Sequence, residues 1–253
     1  MQPVPLPAFS DNYIWLLADD AGHALVVDPG EAAPVEQALA ARKLQLQAIL
    51  LTHHHADHIG GVPALLQRHD AVVYAPHDER IATAHHRLAE GDRVQLNAPS
   101  LQFRVLEVPG HTRSHIAYVG HGMLFCGDTL FSLGCGRLFE GSPAQMLASL
   151  DKLAALPGET RVYCAHEYTL ANAAFALTVD GDNPALHERH AQVRTQREAG
   201  QPTLPSTLGQ ECASNPFLRV DSPAIADWAR GHGARMRVDR FAVLRAVKDA
   251  FRA

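Results

Sequence analysis

The chain has 253 residues, enough to bury a substantial core. Its 47% apolar and 19% charged residues are those of a globular protein, and its net charge of -5 disfavours a nucleic-acid binder, which is usually basic. No stretch approaches the ~20 apolar residues that span a bilayer. The start, Met1-Gln2-Pro3-Val4-Pro5, shows no basic region followed by an apolar run, so no signal peptide is expected. Cys126, Cys135, Cys164 and Cys212 form no C-x-x-C pair, which fits a reducing cytoplasm.

In chain order, Tyr13–Ala18 and Ala24–Val27 read as strands, the second stopped by Asp28-Pro29-Gly30. Helical spacing of Val35 and Leu39 follows. Leu46–Leu51 reads as a strand, Ile59–Arg68 as a helix and Ala71–Ala75 as a strand, while 77–93 is polar without periodicity. Leu101–Val108 reads as a strand, and Ile116–Val119 with Met123–Cys126 as a hairpin. Ser142-Pro143 opens a helix to about Leu156, with Ser as N-cap and Pro first, and Arg161–Cys164 is a short strand. Beyond about 170 the segments 170–179, 184–199 and 239–252 are helical and Arg-rich. A layered α/β domain over 1–169, with a helical domain over 170–253, is the expected organisation.

Residues 52–58, Thr-His-His-His-Ala-Asp-His, are the densest donor run. In extended chain His53 and His55 point the same way, and His54 points away. Asp57 and His58, at the turn into the helix, can serve a neighbouring position. Zinc in a catalytic site takes at least three protein ligands. Further candidates stand at the ends of other strands: His111, Asp128 and His166, each beside a Gly or Ala that permits close approach. A bridging Asp128 would complete a two-metal site, with ions roughly 3.5–4 Å apart. His77, His115 and His190 read as surface or hydrogen-bonding residues. Thr52, Thr129 and Glu167 are candidates for fixing histidine tautomers. His, Asp and water donors without Cys suit two divalent ions, zinc first, with iron or manganese also compatible.

His53-His54-His55-Ala56-Asp57-His58 resembles the H-x-H-x-D-H signature of the metallo-β-lactamase superfamily. Pro109-Gly110-His111-Thr112, Gly127-Asp128-Thr129 and Ala165-His166 are similar to its remaining metal motifs, in the same order. The resemblance implies a four-layer αββα sandwich. It places His53, His55 and His111 on one ion, Asp57, His58 and His166 on the other, and Asp128 between them. Gly134–Gly141 and Tyr163–Thr169 resemble segments of glyoxalase II, the hydroxyacylglutathione hydrolases, as do tail segments around Pro205–Leu208, Asn215–Arg219 and Arg245-x-x-Lys248-Asp249.

That likeness implies hydrolysis of S-(2-hydroxyacyl)glutathione, typically S-D-lactoylglutathione, by a metal-bound hydroxide, with Asp57 and Asp128 as catalytic carboxylates. It assigns glutathione contacts to Arg137, Phe139, Tyr168, Arg245 and Lys248, with Phe139 standing where some relatives carry Tyr. Independently, a doubly carboxylated substrate needs fixed cations, and residues 230–252 are basic in an acidic chain. Arg245 and Lys248, three apart, share one face of a helix. The expected enzyme is a cytoplasmic monomer acting on a small thioester, without nucleic-acid or membrane partner. The alternatives are an iron-dependent persulfide dioxygenase, another thioesterase of the superfamily, and a nucleic-acid-processing member.

Overall fold

A computed structural model describes residues 1–252. The chain divides into two compact units, residues 1–107 with 114–127, and residues 108–113 with 128 onward.

The first unit opens with β1 (Val4–Ala8), which pairs antiparallel with β2 (Asn12–Ala18). Pro5 and Pro7 have no amide proton to give a ladder, so such a strand belongs at a sheet edge; β1 is that edge. The two prolines also break the apolar periodicity, so no strand is legible there from the sequence. β2 pairs antiparallel with β3 (His23–Val27), and α1 (Ala32–Arg42) crosses over to the parallel β4 (Gln45–Leu50). Two short helices, α2 (Ala56–Ile59) and α3 (Val62–Leu66), lead to the parallel strands β5 (Val72–Pro76) and β6 (His86–Leu88). The helix expected over 59–68 is therefore broken at Gly60-Gly61. A Cβ on Gly61 would lie 2.5 Å from the Glu31 carbonyl carbon and 2.6 Å from the Ala32 nitrogen, so the start of α1 packs directly on this glycine.

β7 (Arg93–Asn97), β8 (Ser100–Glu107), β9 (Ile116–Gly120) and β10 (Met123–Gly127) form an antiparallel meander. The β9–β10 turn uses His121 (φ 53°) and Gly122 (φ 70°), the two left-handed residues that a tight hairpin requires. The first sheet is buried on both faces. Ile14, Leu16, Val26, Ile49 and Val73 pack in one core with Val35 and Leu39 of α1, while the alternating Trp15, Leu17, Leu25, Val27 and Leu50 are equally buried. This explains why these strands read as continuous apolar runs. Tyr118 of β9 ties the meander to the first sheet: its hydroxyl donates to the Leu51 carbonyl at 2.9 Å.

In the second unit, β11 (Leu130–Phe131) and β12 (Gly134–Cys135) make a small hairpin. α4 (Pro143–Ala154) starts with Ser142 and Gln145 capping each other. β13 (Arg161–Cys164) leads to α5 (Thr169–Val179) and α6 (Pro184–Glu198). β14 (Ser206–Thr207), α7 (Leu208–Ser214), α8 (Pro223–Gly231) and α9 (Arg237–Ala250) complete it. The fully buried Glu211 of α7 accepts from the Leu133 amide at 2.8 Å, and Asn215 donates to the carbonyls of Phe131 and Gly134 at 3.1 and 3.0 Å. These bonds hold Leu133 in its left-handed conformation (φ 58°) and fix the turn that leads to Arg137.

Candidate metal centre

The parallel register Val27↔Leu50 ends β3 and β4 at the same sheet edge, so Asp28 emerges beside Thr52. Asp28 is buried with φ 52°. Its Oδ1 accepts from the Thr52 amide at 2.8 Å, and its Oδ2 from the Thr52 hydroxyl at 2.7 Å. The same Oδ2 lies 3.1 Å from Nδ1 of the buried His58. Thr52 Oγ1 is 3.1 Å from His53 Nδ1, and His53 Nε2 is 3.1 Å from His55 Nδ1. Asp57, in α2, has Oδ2 hydrogen-bonded by Asn12 at 3.0 Å. His53, His55, Asp57 and His58 thus stand together on one carboxylate-anchored loop.

His54 does turn away from this group, with Nδ1 3.3 Å from Asp78 Oδ2. Burial raises the Asp78 pKa, but hydrogen bonds from Arg80 and Ser114 outweigh it and hold the carboxyl well below the usual range. His77 is exposed and His190 half-exposed. His115 is fully buried, donates from Nδ1 to the Ile116 carbonyl at 3.0 Å and stacks on His53 with centroids 4.6 Å apart.

The second unit carries the other three candidates. Asp128 Oδ2 lies 3.4 Å from His111 Nε2, and its Oδ1 3.3 Å from His166 Nε2, so each oxygen serves a different imidazole. His111 Nδ1 donates to the Arg137 carbonyl at 2.9 Å. That approach requires Gly136, where a Cβ would sit 1.9 Å from the Asp128 carbonyl oxygen. Tyr168 stacks on His166 at 4.7 Å with the rings 8° apart, and Phe131 meets His166 edge-on. Of the other expected tautomer-fixing groups, Thr129 donates to the Val108 carbonyl at 3.4 Å, and Glu167 accepts from the Thr203 amide and hydroxyl at 2.8 and 2.6 Å.

The donor chemistry fits divalent metal. His53, His58 and His111 each have Nδ1 against an oxygen, which leaves Nε2 as the nitrogen available to a metal, and the other candidate donors are the imidazoles of His55 and His166 and the carboxylates of Asp57 and Asp128. Within the second unit, His111 and Asp128 line one cavity of about 460 Å³ together with Arg137, Phe139, Tyr168, Arg245 and Lys248. Arg245 is buried. Its Nη1 donates to the Cys135 carbonyl at 2.7 Å, and its Nη2 lies 3.0 Å from Asp249. Lys248 donates to the Ala171 carbonyl at 3.3 Å and sits near the rings of Phe175 and Phe251. Burial first, then repulsion from Arg245 and Arg137, lowers its pKa to about 8.

A model described as the metallo-beta-lactamase superfamily matches residues 9–166, and one described as the hydroxyacylglutathione hydrolase C-terminus matches residues 167–251. A hydroxyacylglutathione hydrolase of Xanthomonas campestris pv. campestris strain B100 is 56% identical over the whole of both chains. The chain belongs to the hydroxyacylglutathione hydrolase family. Its fold is the metallo-β-lactamase α/β sandwich with a helical C-terminal region. ETHE1 from Myxococcus xanthus superposes with a TM-score of 0.66 at 27% identity, covering 92% of this chain and all of that one. TTHA1623, solved in a di-iron-bound form, gives 0.60 at 28%, covering 86% and 100%. As a member of this family the protein is a hydrolase, and the persulfide dioxygenase alternative is not favoured.

Sequence reasoning missed Asp28, Asn12 and Asp78. Asp28 did carry a signal: it follows an apolar strand and precedes Pro-Gly, as the candidate donors follow theirs, yet it reads as a strand stop. Asn12 and Asp78 had none, because their partners lie 45 and 24 positions away in the chain. Among the described residues no helix is long and apolar enough to cross a membrane.

Proposed function

We propose that the protein hydrolyses S-(2-hydroxyacyl)glutathione, typically S-D-lactoylglutathione, to glutathione and D-lactate, the second step of methylglyoxal detoxification. One observation carries the reading: a single cavity is lined by metal-type donors, His111 and Asp128, and by Arg137, Arg245 and Lys248 with the aromatics Phe139 and Tyr168. A thioester bearing two carboxylates needs that combination of cations, ring surfaces and a reacting centre.

In this reading His53, His55 and His111 would hold one ion and Asp57, His58 and His166 the other, with Asp128 as a donor shared between them. Two divalent ions, zinc first and iron or manganese also suitable, supply Lewis acidity that acidifies water and polarises the thioester carbonyl. Asp57, held by Asn12, orients the attacking water and takes its hydrogen bond. Asp28, through Thr52 and His58, keeps the imidazoles in the ligating tautomer. Lys248 and Arg137 pair with glutathione carboxylates, Tyr168 and Phe139 cover its backbone, and Arg245 shapes the wall through Cys135. The water gives up one proton to solvent as it adds to the carbonyl carbon, the C–S bond breaks, glutathione leaves as the thiolate without needing an acid, and the hydroxy acid formed releases the second proton on ionising. Residues 1–169 serve as the catalytic domain and 170–253 as the substrate-binding domain of a cytoplasmic monomer. The family-model ranges, 9–166 and 167–251, support this division.

Purified protein should hydrolyse S-D-lactoylglutathione, and Asp128→Ala or His55→Ala should remove most activity together with bound metal. Full activity after exhaustive chelation would overturn the mechanism.

A further inference from the structure

The β1–β2 turn holds a residue in a conformation its side chain disfavours. Phe9 has φ 49°, in the left-handed region where a residue with a Cβ is strained and glycine or asparagine is usual. The residue is 56% exposed, so burial does not repay the strain. The conformation is held instead by a polar contact: the Phe9 amide donates to the Glu31 carboxylate at 2.7 Å. An apolar ring kept in the open on a strained backbone points to a use for that ring.

Its position says what the use is. A Cβ built on Gly30 would lie 2.8 Å from Phe9 Cε2 and 1.9 Å from the Asp57 carbonyl oxygen. The ring edge and the Asp57 backbone therefore meet at the same glycine. The other end of the turn reaches the same residue, because Asn12 donates to Asp57 Oδ2 at 3.0 Å. The turn and the first residue of β2 thus together fix the carboxylate and set an apolar ring next to its loop. In the hydrolase reading Asp57 orients the attacking water, so the exposed ring borders the loop at which the thioester would be attacked.

We propose that Phe9 is a specificity-determining residue for the acyl half of the substrate, its exposed face packing against the carbon substituent of the 2-hydroxyacyl group. This rests on the hydrolase reading above. Glutathione recognition does not involve it.

The test compares kcat/KM for S-acetyl-, S-D-lactoyl- and S-D-mandeloylglutathione in the wild type, Phe9→Gly and Phe9→Leu. Glycine adopts the turn's φ without strain, so the fold is kept while the ring is lost; leucine keeps apolar bulk without a ring face. Phe9→Gly should lower the mandeloyl-to-acetyl ratio roughly three- to tenfold, the value of one aromatic contact. Phe9→Leu should lie between. Inhibition by free glutathione should not change. A ratio constant within twofold in both variants, with the wild type active, overturns this proposal alone. A wild type that hydrolyses none of the three overturns the parent reading, and this one with it.

Discussion

The Thr52 hydroxyl donates to Asp28 Oδ2 at 2.7 Å, and this settles where its single proton is. With that proton committed, Thr52 Oγ1 can only accept from His53 Nδ1, 3.1 Å away. His53 must then present Nε2 as its lone-pair nitrogen. Asp28 Oδ2, 3.1 Å from His58 Nδ1, favours a proton on that nitrogen too. Asp28→Asn places an amide that cannot accept at both oxygens. Metal affinity should fall roughly 10- to 100-fold, as for other groups that orient metal-bound histidines. Competition with a chromogenic chelator measures it, and unchanged affinity would refute the tautomer argument.

How far this arrangement was legible follows from the same residues. His53, His55, Asp57 and His58 announce themselves because they sit within six positions on a loop after an apolar strand. His111, Asp128 and His166 do so by repeating the strand-end pattern. Asp28 obeys that pattern too, but a lone Asp before Pro-Gly also makes an ordinary turn. Only the parallel pairing of β3 with β4 brings it to Thr52. The main strands were legible because burial on both faces leaves unbroken apolar runs. β1 was not, because its prolines erase the pattern, nor was β7, whose two buried residues Val94 and Leu96 are too few to establish a period.

Arg245 and Lys248 share a helix and a cavity but differ in what they do for the fold. Arg245 is buried, hydrogen-bonded to the Cys135 carbonyl, paired with Asp249 and stacked over Phe217 at 5.2 Å. Arg245→Ala should cost about 2–3 kcal/mol, less than a wholly buried pair because Asp249 is partly exposed. That is a fall of roughly 4–12 °C in Tm for a chain of this size. Lys248→Ala should cost under about 1 kcal/mol, the scale of its cation–π contacts. Thermal melts of the two single variants decide this, and equal losses would contradict it.

The cysteines should differ in reactivity for a related reason. Burial pushes the Cys135 thiol up to about 11, against the lowering effect of Arg245, and raises Cys164 further. Thiolate is the reactive form, and Cys126, Cys135 and Cys164 are all buried whereas Cys212 is exposed. Native protein treated with iodoacetamide at pH 7.5 should be labelled at Cys212 first, by peptide mass spectrometry, with little loss of activity. Rapid labelling of Cys135 would contradict the packing described for it.

The strongest pH signature should come from Lys248. Burial, then Arg245 and Arg137, lowers its pKa from 10.5 to about 8. The sign follows directly: the ammonium is present below pH 8 and is lost as pH rises through that value, well before an ordinary lysine loses its proton. If the ammonium pairs with a glutathione carboxylate, KM should climb above pH 8 while kcat, set at the metal centre, changes little. A bound water titrating at the metals would instead move kcat. Lys248→Arg separates the two, since guanidinium stays charged throughout: it should keep the low KM and abolish the inflection near 8. Lys248→Met should show a high KM at every pH. Folding stability should move oppositely in the wild type. Between about pH 8 and 10.5 the unfolded chain holds the Lys248 proton and the folded one does not, so stability contributed by this group rises with pH across that window. A KM inflection that survives in Lys248→Arg would assign the titration to another group.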